Sequence, residues 1–163
     1  MSVQVGFSTS EWWVSRVIRW FTKAKVSHAF LYSPFAELGD VAEAAWCGYR
    51  ISTLTKLTSG TTRVVTMKTP VVPLKMEIAK QWLDTPYAYA ALFGEAWVCI
   101  GRLFRKMWKN PFPDPHHMFC SEAIVLLMQQ SGYPGADKLD AVSTSPDDLL
   151  RFMEEQEAGG VHG

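Results

Sequence analysis

The chain has 163 residues, the size of one domain and long enough to bury a hydrophobic core. With 48% hydrophobic and 20% charged residues it is neither disordered nor of low complexity. Sixteen basic side chains balance sixteen acidic ones, so the basic excess of a dedicated nucleic-acid binder is excluded. That zero is uneven: residues 1–60 sum to +2, 61–117 to +4 and 118–163 to −6. A solvated acidic tail helix is the plain reading, and a basic face toward an anionic lipid or polymer is the minority one.

Three cysteines, Cys47, Cys99 and Cys120, have neither CxxC spacing nor an even count, which argues against a disulfide framework or a zinc ribbon. The N-terminus MSVQVGFSTSEWW lacks a basic n-region and an apolar h-region, so no signal peptide is expected. The apolar stretch from Tyr87 to Trp108 is interrupted by two glycines and four charged residues, too often to span a bilayer. The expectation is a soluble, cytoplasmic setting and a single domain over 1–163 with a flexible tail.

In chain order, Val3–Phe7 alternates like a short strand. Ser10 is positioned to cap a helix running to about Lys23, with Trp13, Val14, Val17, Trp20 and Phe21 as its buried stripe. Trp12, Arg16 and Arg19 fall elsewhere on it. Three strand-like runs follow: Val26–Tyr32, with His28, Phe30 and Tyr32 on one face, Val41–Trp46, and Arg63–Lys68. A helix is expected from about Leu74 to Leu83, and a broken one over Tyr87–Trp108. Lys109–His117 (KNPFPDPHH) carries three prolines and reads as a loop. Phe119–Gln130 is a helix ended by Gly132 and Pro134. Ser145-Pro146-Asp147-Asp148 opens a last one: cap, proline at the first helical position, acids in the first turn. This order predicts an α+β fold, a small antiparallel sheet packed with helices.

Cys120 stands at the start of a helix, where peptide dipoles favour the nucleophilic thiolate. Such a nucleophile needs a base, and the base an orienting partner. His28, in mid-strand, is a candidate base. Glu43 falls on the next strand, and if the two strands pair, both side chains can share a face. The bland readings stand beside this one: a cysteine in an apolar helix is often core, as we take Cys99 to be, Cys47 at a strand end fits either reading with core favoured, and a strand histidine is often structural. Glu43, between small apolar neighbours, is either solvated or held by a partner. His116 and His117 lack a matching ligand pair, so no metal is expected. No P-loop, GxGxxG, HExxH or GxSxG occurs, and no cofactor is expected.

Three segments together, Ser27-His28-Ala29-Phe30, Ala42-Glu43-Ala44 and Phe119-Cys120-Ser121-Glu122, resemble the permuted branch of the NlpC/P60 superfamily. These are papain-like cysteine hydrolases of the YiiX/YaeF type, related to lecithin retinol acyltransferase, in which the histidine strand precedes the cysteine helix. Leu83–Tyr89 (LDTPYAY) is similar to the family's Leu-Gly-x-Pro-Tyr-Asp stretch, and Ser145-Pro146-Asp147 to its Ser-Pro-x-Asp/Glu tail. The chain departs from the pattern at Asp84 and Ala88, and at Val5-Gly6-Phe7-Ser8, where the family has a Gly-Asp-hydrophobic signature.

The resemblance implies a circularly permuted papain-like architecture, with Cys120 as nucleophile, His28 as general base, Glu43 orienting His28, and Tyr87 lining the substrate pocket. The Cys120 backbone N–H would form part of an oxyanion hole. The implied activity is cleavage of amide bonds in a peptide or amide-containing small substrate, with peptidoglycan peptides the first class. A phage-encoded or virion-carried product is one way to such a substrate without an export signal. Two rivals are a lipid- or acyl-directed hydrolase or acyltransferase, motivated by Trp12, Trp13, Trp20, Arg16 and Arg19, and a non-catalytic interaction protein on the same scaffold.

Overall fold

The computed structural model describes residues 3–11, 16, 19–20, 23–35, 39–45, 48–83 and 120–159. The expected helix over Tyr87–Trp108, the proline-rich loop, Tyr87, Cys47, Cys99, Trp12 and Trp13 lie outside these residues.

Five strands form one antiparallel sheet: β1 (Gln4–Ser10), β2 (His28–Phe35), β3 (Gly39–Ala45), β4 (Gly48–Ser52) and β5 (Thr62–Lys68). Their order across the sheet is β4-β3-β2-β1-β5. The chain thus runs as a meander through β2, β3 and β4, and returns to lay β5 against the free side of β1. A short helix α1 (Leu54–Leu57) joins β4 to β5, and α2 (Met76–Lys80) follows β5. Then come α3 (Cys120–Gln130), a 3-10 turn at Ala136–Lys138, and α4 (Pro146–Gly159). The fold is α+β, a small antiparallel sheet with a few helices. Among the described residues no helix is long and apolar enough to cross a membrane.

Alternation along the strands separates two apolar layers. On one face Val5, Phe7, Ala29, Leu31, Ala42, Ala44 and Tyr49 pack against α3, whose Ala123, Ile124, Val125, Leu127 and Met128 are all buried. Register carries the rows across the sheet, Val5 facing Leu31, Leu31 facing Ala42 and Ala42 facing Ile51. On the opposite face Phe30, Val41 and Leu57 form a smaller cluster. With side chains buried nearly all round, α3 is a central helix rather than a surface one.

Both ends of the C-terminal pair are set by local chemistry. After α3, Gly132 adopts φ 72°, its N–H bonds the Gln129 carbonyl at 3.0 Å and the Tyr133 N–H bonds that of Met128 at 2.9 Å. This pair of bonds closes a Schellman cap, which needs the left-handed conformation glycine tolerates. At α4 the Asp148 N–H donates to Ser145 Oγ (3.2 Å), and the Ser145 N–H donates back to Asp148 Oδ2 (3.3 Å). That reciprocal box, with Pro146 at the first position, is what Ser-Pro-Asp-Asp encodes.

Four expectations are corrected. β1 extends to Ser10, which therefore ends a strand; the helix expected from it falls mostly outside the described residues, although Arg16, Arg19 and Trp20 are helical. Trp20, assigned to the buried stripe, is 76% exposed, and Arg16 four residues earlier is exposed as well. The helix expected over Leu74–Leu83 is only five residues, because Lys75 supplies no side-chain cap and the chain leaves through tighter three-residue turns at Trp82 and Leu83. Finally, β4 is a strand beyond those predicted, so the sheet is one strand wider at that edge.

Candidate active site

His28 is the first residue of β2, and the chain leading to it is tied down from two sides. The Ser27 N–H donates to the Ser8 carbonyl of β1 at 3.0 Å. The Lys25 N–H donates to Asp147 Oδ1 at 2.7 Å, so the first turn of α4 holds the start of the histidine strand across 122 positions. The imidazole lies 6.4 Å from the Phe30 ring at an interplanar angle of 22°. The end of the Phe30 ring in turn packs against Gly6, where an added Cβ would come within 2.2 Å of it. Gly6 therefore makes room for the wall beside His28.

Glu43 occupies the middle of β3 on the same face, with a side chain only 2% exposed. A carboxylate buried that deeply must have partners, and it has four bonds. His28 Nε2–H donates to Oε2 at 2.9 Å. On Oε1, Arg50 donates from Nε at 3.1 Å and from Nη2 at 2.8 Å, and the Ser52 hydroxyl donates at 3.4 Å. Both Arg50 and Ser52 lie on β4, with Arg50 directly opposite Glu43 in the β3/β4 register.

Cys120 is a free thiol, buried as the first residue of α3. Its sulfur is hydrogen-bonded to the His28 side chain and accepts the backbone N–H groups of Ala29 and Ser121. With Nε2 committed to Glu43, Nδ1 is the ring nitrogen left for the sulfur. The three candidates His28, Glu43 and Cys120, the first two on neighbouring strands and the third far along the chain, are thus linked thiol to imidazole to carboxylate.

The charges support one another. Burial works against the thiolate, but the adjacent imidazolium, its hydrogen bond and the two backbone N–H donors outweigh it and hold the Cys120 thiol below its usual value. Burial also works against the imidazolium, but the Cys120 thiolate and then Glu43 raise His28 to about 10. Glu43 resists its own burial through the His28 bond and charge, then those of Arg50, and is lowered to about 2. These shifts all favour the form in which thiolate, imidazolium and carboxylate stand together, and Arg50 brings the charge of that form to zero. His28 keeps 22% of its side-chain surface, so the pair is not sealed from a reactant. Such an arrangement can deliver a sulfur nucleophile and a proton to the same substrate carbon–heteroatom bond.

Tyr87, His116, His117 and His162 lie outside the described residues. Among those described, no cluster of three or more histidine, cysteine, aspartate or glutamate side chains is arranged to hold a metal. Arg50 and Ser52 escaped the sequence reading because β4 did. The structure pairs Ala45 with Gly48 and hence Glu43 with Arg50, a register that no Asn-Gly or Asp-Gly pair in the sequence announces. Comparison with family models, curated proteins and solved structures gave no match.

Proposed function

We propose that the protein is a cysteine hydrolase that cleaves amide bonds, on a circularly permuted papain-like architecture of the NlpC/P60 kind. The observation that carries this reading is the continuous relay from the Cys120 sulfur through His28 to Glu43, closed by the 2.9 Å Nε2–Oε2 bond. In the reaction the Cys120 thiolate attacks the substrate carbonyl carbon, and the C–N bond breaks as His28 gives its proton to the leaving amine. This leaves an acyl-enzyme thioester and a neutral imidazole. Water then attacks the thioester, its proton passing to His28, and the acid departs with the thiolate restored. Glu43 keeps the imidazole turned toward the sulfur and stabilises its charged form. The Cys120 N–H at the start of α3 is the expected oxyanion donor, Tyr87 the expected pocket residue, and cell-wall peptides the first substrate class.

Thiol reactivity and acyl trapping test the reading together. Cys120 should be alkylated by iodoacetamide near neutral pH far faster than Cys47 or Cys99, and an activated amide or ester should leave a mass increment on Cys120 that Cys120→Ala abolishes. Equal, slow labelling of all three cysteines defeats the proposal.

A second reading, hydrolysis or transfer of acyl groups on amphiphiles, is favoured by the exposed Trp20 one helical turn from exposed Arg16. Co-sedimentation with anionic liposomes at low salt supports it; absence of binding removes it.

A further inference from the structure

The two oxygens of Glu43 have separate duties. Among the described residues Oε2 bonds His28, while Oε1 takes Arg50 Nε and Nη2 and the Ser52 hydroxyl. A carboxylate on a flexible stem, bonded only to His28, could rotate and present either oxygen or none. Here β4 prevents that: its ladder with β3 sets Arg50 opposite Glu43, so the guanidinium fork arrives with its direction already fixed. Arg50 also matters to the charge balance. Thiolate, imidazolium and carboxylate leave one uncompensated negative charge in a partly desolvated site, and such a charge is relieved most easily by taking up a proton. Arg50 removes that incentive.

We infer that Arg50, backed by Ser52, is a positioning residue of this site: it holds Glu43 in the orientation that presents Oε2 to His28 and keeps the group ionised. The inference rests on the hydrolase reading above, and Arg50 acts through Glu43 and His28. Among the described residues the charged or titratable groups facing Glu43 are His28 from β2 and Arg50 from β4, with Cys120 of α3 beyond His28. Loss of Arg50 makes protonation of Glu43 and of the Cys120 thiolate easier, so both effects move the acid limit of thiolate reactivity in the same direction, upward.

The test is the pH profile of iodoacetamide alkylation at Cys120, resolved by peptide mass spectrometry on the full chain. In Arg50→Gln the acid limb should move up by on the order of one pH unit, lowering the rate about tenfold well below the wild-type midpoint and about fivefold at it. Arg50→Lys restores the charge and should bring the limb back to within a few tenths of wild type. An Arg50→Gln profile superimposed on wild type, or Arg50→Lys no better than Arg50→Gln, overturns the inference. If Arg50→Gln does not fold, the double variant Arg50→Lys/Ser52→Ala decides: it keeps the charge but loses most of the bonds to Oε1, and a smaller upward shift is expected. A superimposed profile there overturns it equally. Slow wild-type labelling would instead remove the hydrolase reading, whereas fast wild-type labelling with no shift in the variants removes only the role of Arg50.

Discussion

Glu43→Gln isolates the central charge of the site with almost no change of shape. Glutamine can still accept from Arg50 and Ser52 on one atom, but its NH2 group then faces His28 Nε2–H, donor against donor. Holding a carboxyl at about 2 rather than its usual 4.5 corresponds to about 3 kcal/mol, at roughly 1.4 kcal/mol per pH unit. Because Glu43 is buried, solvent screening does not erode that figure much. The sign follows from the direction. The folded value lies below the unfolded one, so the contribution is complete above about 4.5 and is lost as pH falls toward about 2. The expected outcome is a variant about 3 kcal/mol less stable than wild type in urea at pH 7, with the gap narrowing steadily below pH 4.5. For a chain of this size that gap is about 6–12 °C in Tm. The same variant should move the basic limb of amide hydrolysis down from near pH 10, since after the Cys120 thiolate it is the Glu43 carboxylate that holds the His28 proton. A gap that is equal at pH 7 and pH 3, or no gap at pH 7, refutes the assignment of a buried, ionised Glu43.

Removing the sulfur should release its hold on the imidazole: in Cys120→Ala, an NMR titration should place His28 well below the wild-type value of about 10, and an unchanged midpoint would contradict the ion pair. Gly6→Ala forces the Phe30 ring away, at about 1–3 kcal/mol of stability by overpacking. Because Phe30 flanks His28, Cys120 alkylation should slow as well; full stability with wild-type reactivity would show that the ring yields freely. Ser145→Ala removes the cap of α4 and should cost about 1 kcal/mol in urea unfolding, whereas an unchanged midpoint would mean that Asp148 and Pro146 suffice.

Elements whose signals are local could be read from the chain. The alternation of Arg63–Lys68 became β5, the apolar run after Cys120 became α3, and Ser-Pro-Asp-Asp became the capped start of α4. Each of these depends on neighbours within a turn or a strand, where spacing and capping chemistry decide. Trp20 shows the limit of that approach: its spacing fits a buried stripe, but helical periodicity names a face without saying which way the face turns.

Residue types and positions in the sequence were enough to nominate Cys120, His28 and Glu43, because a helix-start thiol, a strand histidine and an isolated acid each stand out chemically. Whether they meet depends on strand register and on where α3 crosses the sheet, which are set by burial of one face against another and leave no local trace. Tertiary structure alone brought β4 beside β3, set Arg50 and Ser52 on the back of Glu43, and tied the His28 strand to Asp147 of α4. Those contacts join residues that the chain keeps apart, so only the folded sheet could show them.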